Sequence, residues 1–491
     1  MKNMKLMFCA WIMSAGTASL ASAQQHGNIA GPLPAPAQTP NVVTLSPLEQ
    51  LGKDLFFDRT LSYPVGYSCA TCHLPSAGFT GSSSVANLVS GPQPGVVPGR
   101  LGHRKPQAVP YATFSPPGPS FNDDIGVWLG GNFWDGRALN TTAQARMPFI
   151  DPDEMANAAT GPLPPHTGGF APLVASKMSG ARYAARFSSL FKVVFGTTTA
   201  GEIYDDVTQA IAAYEASAEV NPFSSKWDYS SNGILPHPTY RFSAAEERGR
   251  QLFFDSAQCF QCHSGATLTP VLAVTGGRNS FTMYCYANVG VPKNASNPFY
   301  RETDRASNPD GYNPDGQQFI DYGLGGNPNG APALNTPTDG TAFMTSAPGD
   351  IADFRGMFKA PSVRNVDKRP TASFVKAYMH NGVFKSLAQV VHFYNKRNIA
   401  VDRFGREQAF DLRQGPPPGY TPLFPSPEVM DNLQNAAGLN PNDPNVTDDP
   451  ETNGQVGNLG LTPQQEADIV AFLKTLSDGF GRPTYSGSGG K

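Results

Sequence analysis

Apolar residues fall at helical spacing in four stretches of the chain, and three of these open on a helix-capping sequence. Leu45-Ser46-Pro47-Leu48-Glu49-Gln50-Leu51-Gly52-Lys53-Asp54-Leu55-Phe56-Phe57-Asp58 recurs as Phe242-Ser243-Ala244-Ala245-Glu246-Glu247-Arg248-Gly249-Arg250-Gln251-Leu252-Phe253-Phe254-Asp255. In each copy a serine stands three residues ahead of a glutamate, so side chain and backbone satisfy each other's donors at the start of a helix. The spacing turns Leu51 and Leu55 inward in the first copy and Leu252 in the second. Leu461-Thr462-Pro463-Gln464-Gln465-Glu466 starts a third capped helix, with Ile469, Val470, Phe472, Leu473 and Leu476 on its apolar face. In the fourth stretch Leu387, Val390, Val391 and Tyr394 share one face, which points Tyr394 at the core and His392 away. From spacing alone, a core tyrosine outweighs a ligand.

The chain's 50 glycines and 46 prolines predict many turns and long irregular connections. They gather in 91–99, 115–119, 161–169, 306–316 and 325–349, while 413–457 reads as a surface excursion. Each repeated helix leads into a Cys-x-x-Cys-His pentapeptide, Cys69-Ala70-Thr71-Cys72-His73 and Cys259-Phe260-Gln261-Cys262-His263. Such a pair of thiols is spaced to add across the two vinyl groups of one porphyrin, and the adjoining histidine then becomes the iron's proximal ligand. Two covalently bound haem c groups follow. A four-thiolate zinc site or a redox dithiol is the alternative; a zinc ribbon keeps its pairs close in sequence, and a dithiol needs no adjoining histidine. The expected fold class is mainly α: two c-type cytochrome domains related by internal duplication, with long irregular loops, over 24–238 and 239–491.

Residues 1–23 read as a secretory signal, with Lys2 and Lys5, an apolar run from Leu6 to Leu20, and Ala21-Ser22-Ala23 before the cleavage point. A periplasmic location is expected. Of the six cysteines, Cys9 lies in the signal and four belong to the haem motifs. No disulfide framework remains, and Cys285 reads as a small buried hydrophobe. A net charge of −3 with 15% charged residues argues against nucleic-acid binding, and no later segment is long and apolar enough to span a bilayer.

The sixth ligands decide what such irons do, because a six-coordinate iron moves electrons while an open one binds peroxide. Outside the motifs the histidines are His26, His103, His166, His237, His380 and His392. Glu154, in Met147-Pro148-Phe149-Ile150-Asp151-Pro152-Asp153-Glu154-Met155, suits proton transfer if buried, although three neighbouring acids favour a merely solvated loop.

Taken together, the motifs resemble the bacterial diheme cytochrome c peroxidase family, including its MauG-like branch, across most of 45–480. The pieces that carry the resemblance are Leu55-Phe56-Phe57-Asp58, Gly102-His103-Arg104, Phe133-Trp134-Asp135-Gly136-Arg137-Ala138, the Gln144/Pro148/Glu154-Met155 spacing, Asn288-Val289-Gly290-Val291-Pro292 and Phe358-Lys359-Ala360-Pro361-Ser362-Val363-Arg364-Asn365-Val366. The resemblance implies that the haem of His73 is the peroxide-reactive one, with Glu154 as acid/base and Gln144 as its distal neighbour. It places Trp134 between the haems as an electron bridge and Arg137 near a propionate or in an ion pair. It makes His103 the residue that caps the first iron at rest in ordinary members.

The second haem, on His263, has its sixth-ligand position fourteen residues beyond the histidine of Met379-His380-Asn381-Gly382, at Tyr394. Ordinary members carry methionine there and the MauG-like branch tyrosine, so the resemblance reverses the reading from spacing. A phenolate favours ferric and higher-valent iron. The family pattern also holds a calcium ion between the haems, but its asparagine, threonine and proline align with Tyr111, Val375 and Ala377. A calcium ion is implied as a cofactor without nameable ligands.

The function implied is a periplasmic oxidoreductase that reduces hydrogen peroxide at the N-terminal haem and shares the oxidising equivalents with the C-terminal haem. The partner is an electron-donor cytochrome or cupredoxin, a small donor, or a protein substrate. The competing expectation is a diheme electron carrier with no substrate of its own.

Overall fold

The computed structural model describes residues 43–480 apart from 123–126, 158–171, 231–232, 234–235, 237–239, 265–273, 307–312, 327–353 and 434–455. The expected leader, the loop 161–169 and most of 325–349 lie outside the described residues. The described helices are α1 (Pro47–Phe56), α2 (Cys69–Cys72), α3 (Ser84–Val89), α4 (Thr141–Ile150), α5 (Pro172–Lys177), α6 (Ala184–Phe191), α7 (Ala200–Ala216), α8 (Lys226–Tyr229), α9 (Ala244–Phe254), α10 (Phe260–His263), α11 (Leu387–Lys396) and α12 (Pro463–Lys474).

Helices begin where the sequence caps them. Glu49 N–H donates to Ser46 Oγ at 3.3 Å and Ser46 N–H to Glu49 Oε2 at 2.6 Å. Ser243 and Glu246 repeat both bonds at 3.3 and 2.6 Å, and Thr462 and Gln465 do so at 3.3 and 2.8 Å. Leu51 and Leu55 are buried as their spacing requires. Leu252 is half-buried and packs against the second core, while α9 turns Gly249 and Phe253 most fully toward its partner helix.

Glycine sets how closely the capped helices cross their partners. A Cβ added at Gly52 of α1 would lie 1.8 Å from the Ala210 carbonyl oxygen of α7. One added at Gly249 of α9 would lie 1.8 Å from the Asp468 carbonyl oxygen of α12. The same position of the repeated sequence therefore makes the same close crossing twice.

Two apolar cores result. The first gathers Leu51, Leu55, Phe149, Phe187, Val207 and Ile211 from α1, α4, α6 and α7. The second gathers Phe253, Leu387, Phe393, Ile469, Phe472 and Leu476 from α9, α11 and α12. Trp227 of α8 belongs to the second core, upstream of the boundary expected at 238. A smaller cluster of Tyr111, Phe114, Phe223, Met283 and Tyr284 draws on both halves.

Strands are few and short, as a mainly α chain requires. β1 (Ser120–Asn122) pairs antiparallel with β2 (Val127–Leu129), Ser120 opposite Leu129. β3 (Tyr286–Ala287) pairs with β4 (Phe358–Lys359), Tyr286 opposite Lys359. β5 (Ile399–Asp402) lies between β6 (Glu407–Ala409) and β7 (Tyr420–Pro422). The described part of 413–457 runs mostly over the surface and adds the short strand β7, with Pro422 and Thr421 opposite Ala400 and Val401.

Replacing Gly249 with Ala must force α9 away from α12, and we expect a loss of about 1–3 kcal/mol, read as a lower thermal midpoint. Gly180→Ala is the control, since nothing lies within 4 Å of the added Cβ. Equal midpoints for the two variants would contradict the close crossing.

Candidate functional site

The site is assembled from backbone carbonyls before any side chain is counted. His73 Nδ1 lies 3.0 Å from Phe79 O, with the backbone of Gln107 also bonded to the ring. His263 Nδ1 lies 3.0 Å from Pro361 O. A carbonyl only accepts, so Nδ1 carries the proton in both rings and Nε2 is the nitrogen able to bind iron. The first thiol pair opens and closes the single turn of α2; of the second, Cys259 caps α10 and Cys262 is its third residue.

Both alternatives to haem meet a physical obstacle. A redox dithiol needs a thiolate near neutrality, whereas in the first motif burial pushes the Cys72 thiol up to about 12 and Cys69 higher still. Among the described residues no three of His, Cys, Asp and Glu converge to hold a metal ion, so the pairs do not build a four-thiolate cage. A paired thiol with an oriented imidazole, present in each half, does fit a c-type haem. Cys285 is buried as expected, and its thiol also bonds Cys262, which lowers the pKa of Cys262.

Glu154 stands on the turn after α4. Its N–H donates to Asp151 O at 3.2 Å, and its carbonyl accepts from Val96 N–H at 2.8 Å. The next residue, Met155, takes Tyr63 N–H at 2.9 Å, so the turn is held from both sides. The carboxyl itself has no hydrogen bond among the described residues. Burial, with Asp151 adding to it and Arg137 opposing, pushes its pKa up to about 8. Its charge is felt at Cys69 and Cys72, which places it beside the first motif. By exposed surface the residue is half-buried, neither a freely solvated loop carboxyl nor a sealed one.

Gln144 lies half-buried on α4, four residues before Pro148. Proline has no N–H to give, so the Gln144 carbonyl loses its usual helical donor. Its side chain makes no hydrogen bond among the described residues, and none joins it to Glu154.

Trp134 is buried and tied to both halves. Its Nε1 donates to Lys105 O at 2.9 Å, and its carbonyl accepts from Lys359 N–H at 2.8 Å. Lys105 is two residues from Gln107, which touches the His73 ring, and Lys359 is two residues from Pro361, which holds His263. Arg137 stacks over Phe133 at 3.6 Å and pairs with Asp135 at 2.9 Å, so the ion-pair alternative for this arginine holds.

Tyr394 is half-buried on α11, and no hydrogen bond engages its hydroxyl among the described residues. Burial and then the thiols of Cys262 and Cys259 push its pKa up, with Arg397 one turn on opposing, so the ring faces the second motif. His392 instead pairs with Glu466 of α12 at 3.0 Å.

His103 packs beside an ion-pair cluster. Its ring packs on Phe299 and Phe319 at 5.1 and 5.4 Å, and Nε2 lies 3.6 Å from Asp321 Oδ2. Burial lowers its pKa to about 4. Arg104 grips Asp321 with two bonds of 2.7 Å and Asp135 with one of 2.6 Å. His380 stacks flat on Phe358 at 3.5 Å, and its Nε2 is buried without a partner. His26, His166 and His237 lie outside the described residues.

The three positions aligned with calcium ligands offer one phenol hydroxyl and two backbone carbonyls, where calcium takes six to eight oxygens. Tyr111 gives its hydroxyl proton to Asp478 at 2.7 Å, and the Val375 carbonyl accepts from Asn87 Nδ2 at 2.9 Å. At Val375 and Ala377 only the backbone carbonyls could serve a cation.

Residues 46–234 match the family model of di-haem cytochrome c peroxidase. The methylamine utilization protein MauG of Paracoccus denitrificans is 31% identical over 442 residues, 88% of this chain and 88% of that protein. The chain belongs to the di-haem cytochrome c peroxidase family. A cytochrome-c peroxidase, IdrP1, of Pseudomonas sp. is 26% identical over 77% of this chain and 80% of its own length. The crystal structure of the diheme peroxidase BthA from Burkholderia thailandensis superposes with a TM-score of 0.61, at 26% identity and covering 89% of this chain and 88% of that one. Membership makes this a peroxide-related redox enzyme whose family implies two c-type haems, in a mainly α diheme peroxidase fold. Among the described residues no helix is long and apolar enough to cross a membrane.

Sequence reasoning missed the atoms that do the holding. Phe79 O and Pro361 O are backbone and carry no side-chain signal. Arg104 and Asp135 sat inside motifs already singled out, but Asp321 had nothing to mark it. Although burial alone would raise its pKa, the Arg104 guanidinium holds Asp321 well below the usual carboxylate range. Such a group adds stability above its unfolded pKa of about 4, and that stability fades as pH falls toward the folded value. Asp321→Asn should cost about 3 kcal/mol at neutral pH and flatten the acid limb of the stability profile, measured by denaturant midpoints.

Proposed function

We propose that this protein reduces hydrogen peroxide at the haem held by Cys69, Cys72 and His73 and shares the oxidising equivalents with the haem held by Cys259, Cys262 and His263. Both haems are attached through thioethers. The haem domains span 24–238 and 239–491 and arose by duplication, a reading supported by the twice-used capping box and the matched crossings at Gly52 and Gly249. The leader at 1–23 directs the chain to the periplasm.

A c-type haem supplies an iron that exchanges electrons and, where an axial position is open, binds peroxide. The protein supplies the proton handling. Overall, one peroxide takes two electrons and two protons to give two waters, and one proton already on the peroxide must move from the oxygen that stays to the oxygen that leaves. Glu154 as the anion accepts that proton and, once neutral, donates it to the departing oxygen. Gln144 offers an amide to the same cleft. The observation that carries the reading is the Glu154 carboxyl itself: half-buried, without a hydrogen bond among the described residues, raised to about 8, and beside Cys69 and Cys72. A pure electron carrier has no use for such a group.

Trp134 is the bridge, on the support of its ties to Lys105 and Lys359. Tyr394 is the second haem's outer ligand, on the support of its unengaged hydroxyl facing Cys262. His103 matches the capping position, and its ring packs on Phe299 and Phe319; were it to stay there, a haem held by His73 would keep a position free for peroxide. Equivalents leave to a donor cytochrome or cupredoxin, a small donor, or aromatic residues of a partner protein, and Tyr394 favours the last. Calcium takes no part in this reading.

Because the base form is needed first, the rate of the peroxide reaction should rise as pH passes through about 8. Glu154→Gln should remove that limb and slow turnover by about 10²–10⁴. Equal turnover by the two proteins would contradict the assignment. Tyr394→Met should change the second haem's absorption and raise its potential, since a thioether replaces an anionic oxygen; an unchanged spectrum would make Tyr394 a packing residue.

A further inference from the structure

The space between the two proximal loops holds a charge that neither motif accounts for. Lys376 is 4% exposed. Its Nζ donates to Ala77 O at 2.8 Å, Lys368 O at 2.9 Å and Asn365 O at 3.1 Å. All three partners are acceptors only, so the nitrogen must present three N–H groups, which the ammonium has and the neutral amine lacks. Burial and then Lys105 and Arg369 press its pKa well below the usual lysine value, with Asp367 opposing; it is the geometry, three carbonyls converging on one nitrogen, that calls for the ammonium.

The carbonyls come from the two loops that orient the imidazoles. Ala77 lies between His73 and Phe79, within the turn whose end holds the His73 ring. Asn365 and Lys368 follow Pro361, which holds the His263 ring. The loops touch directly as well: a Cβ on Gly78 would lie 3.0 Å from Asn365 O and 3.5 Å from Lys376 Nζ. The junction continues from Asn365 to Asp478 and Tyr111 through bonds of 2.7 Å each. In the sequence, Lys376 stands between Val375 and Ala377, the two positions aligned with calcium ligands.

We propose that the Lys376 ammonium is the resident cation of the junction between the haems, a tethered replacement for the divalent ion of the family pattern, so that coupling between the haems needs no calcium. The inference rests on the reading of two haems given above. As a positioning residue, Lys376 acts through the carbonyl loops and not on peroxide.

The test uses holoprotein with its haem content counted, so that failure to bind two haems is separated from failure of the inference. Wild type is dialysed against EGTA and then titrated with calcium chloride, while the spectra and potentials of both haems and the rate of electron exchange between them are followed. We expect no response to either treatment. Loss on chelation with recovery on calcium addition would overturn the proposal, and this arm stands even if a variant fails to fold. In Lys376→Met with two haems bound, exchange should fall about tenfold to a hundredfold and both potentials should shift, as for loss of an outer-shell partner. Lys376→Arg should recover part of the loss. A Met variant with unchanged exchange and potentials would equally overturn it.

Discussion

Two hydrogen bonds, from His73 Nδ1 to Phe79 O and from His263 Nδ1 to Pro361 O, fix the geometry on which everything else depends. An imidazole with one nitrogen pinned has its tautomer and direction set, and the other nitrogen becomes a ligand of fixed aim. Both pins are backbone carbonyls in turns. Their precision is therefore only as good as the packing of those turns.

That packing is supplied by buried polar groups that cross from one half to the other. Trp134 joins Lys105 to Lys359, Lys376 joins Ala77 to Asn365, and Arg364 grips Asp228 with bonds of 2.9 and 2.7 Å beneath Tyr111 and Phe223. Charges so buried gain little net stability, because desolvation offsets most of their attraction. Their effect is to make one arrangement of the loops far better than its neighbours, since displacing any partner leaves a charge unpaired. A catalyst that passes oxidising equivalents between two centres benefits from that selectivity more than from extra stability.

The parts legible in the sequence were those written locally. The capping boxes at Ser46, Ser243 and Thr462, the haem pentapeptides, and the inward faces of α1 and α12 all depend on residues a few positions apart. Tyr394 shows the limit of that kind of reading: spacing placed it in the core, and only resemblance to a family raised it as a ligand. Lys376 and Asp321 were invisible because their partners lie up to 299 and 217 residues away. Leu252 faces the second core as its spacing indicates but is only partly covered, because the glycine three residues earlier sets which face of α9 meets α12. β7 escaped notice because its partners, Ala400 and Val401, lie outside the loop that contains it.

The most direct test of the account is stopped-flow absorption of the purified diferric protein mixed with hydrogen peroxide, with no prior reduction. If the two haems are held as one unit with the first iron open, both Soret bands change promptly and at one common rate. A response confined to one haem, or no response until one haem has been reduced, would contradict it.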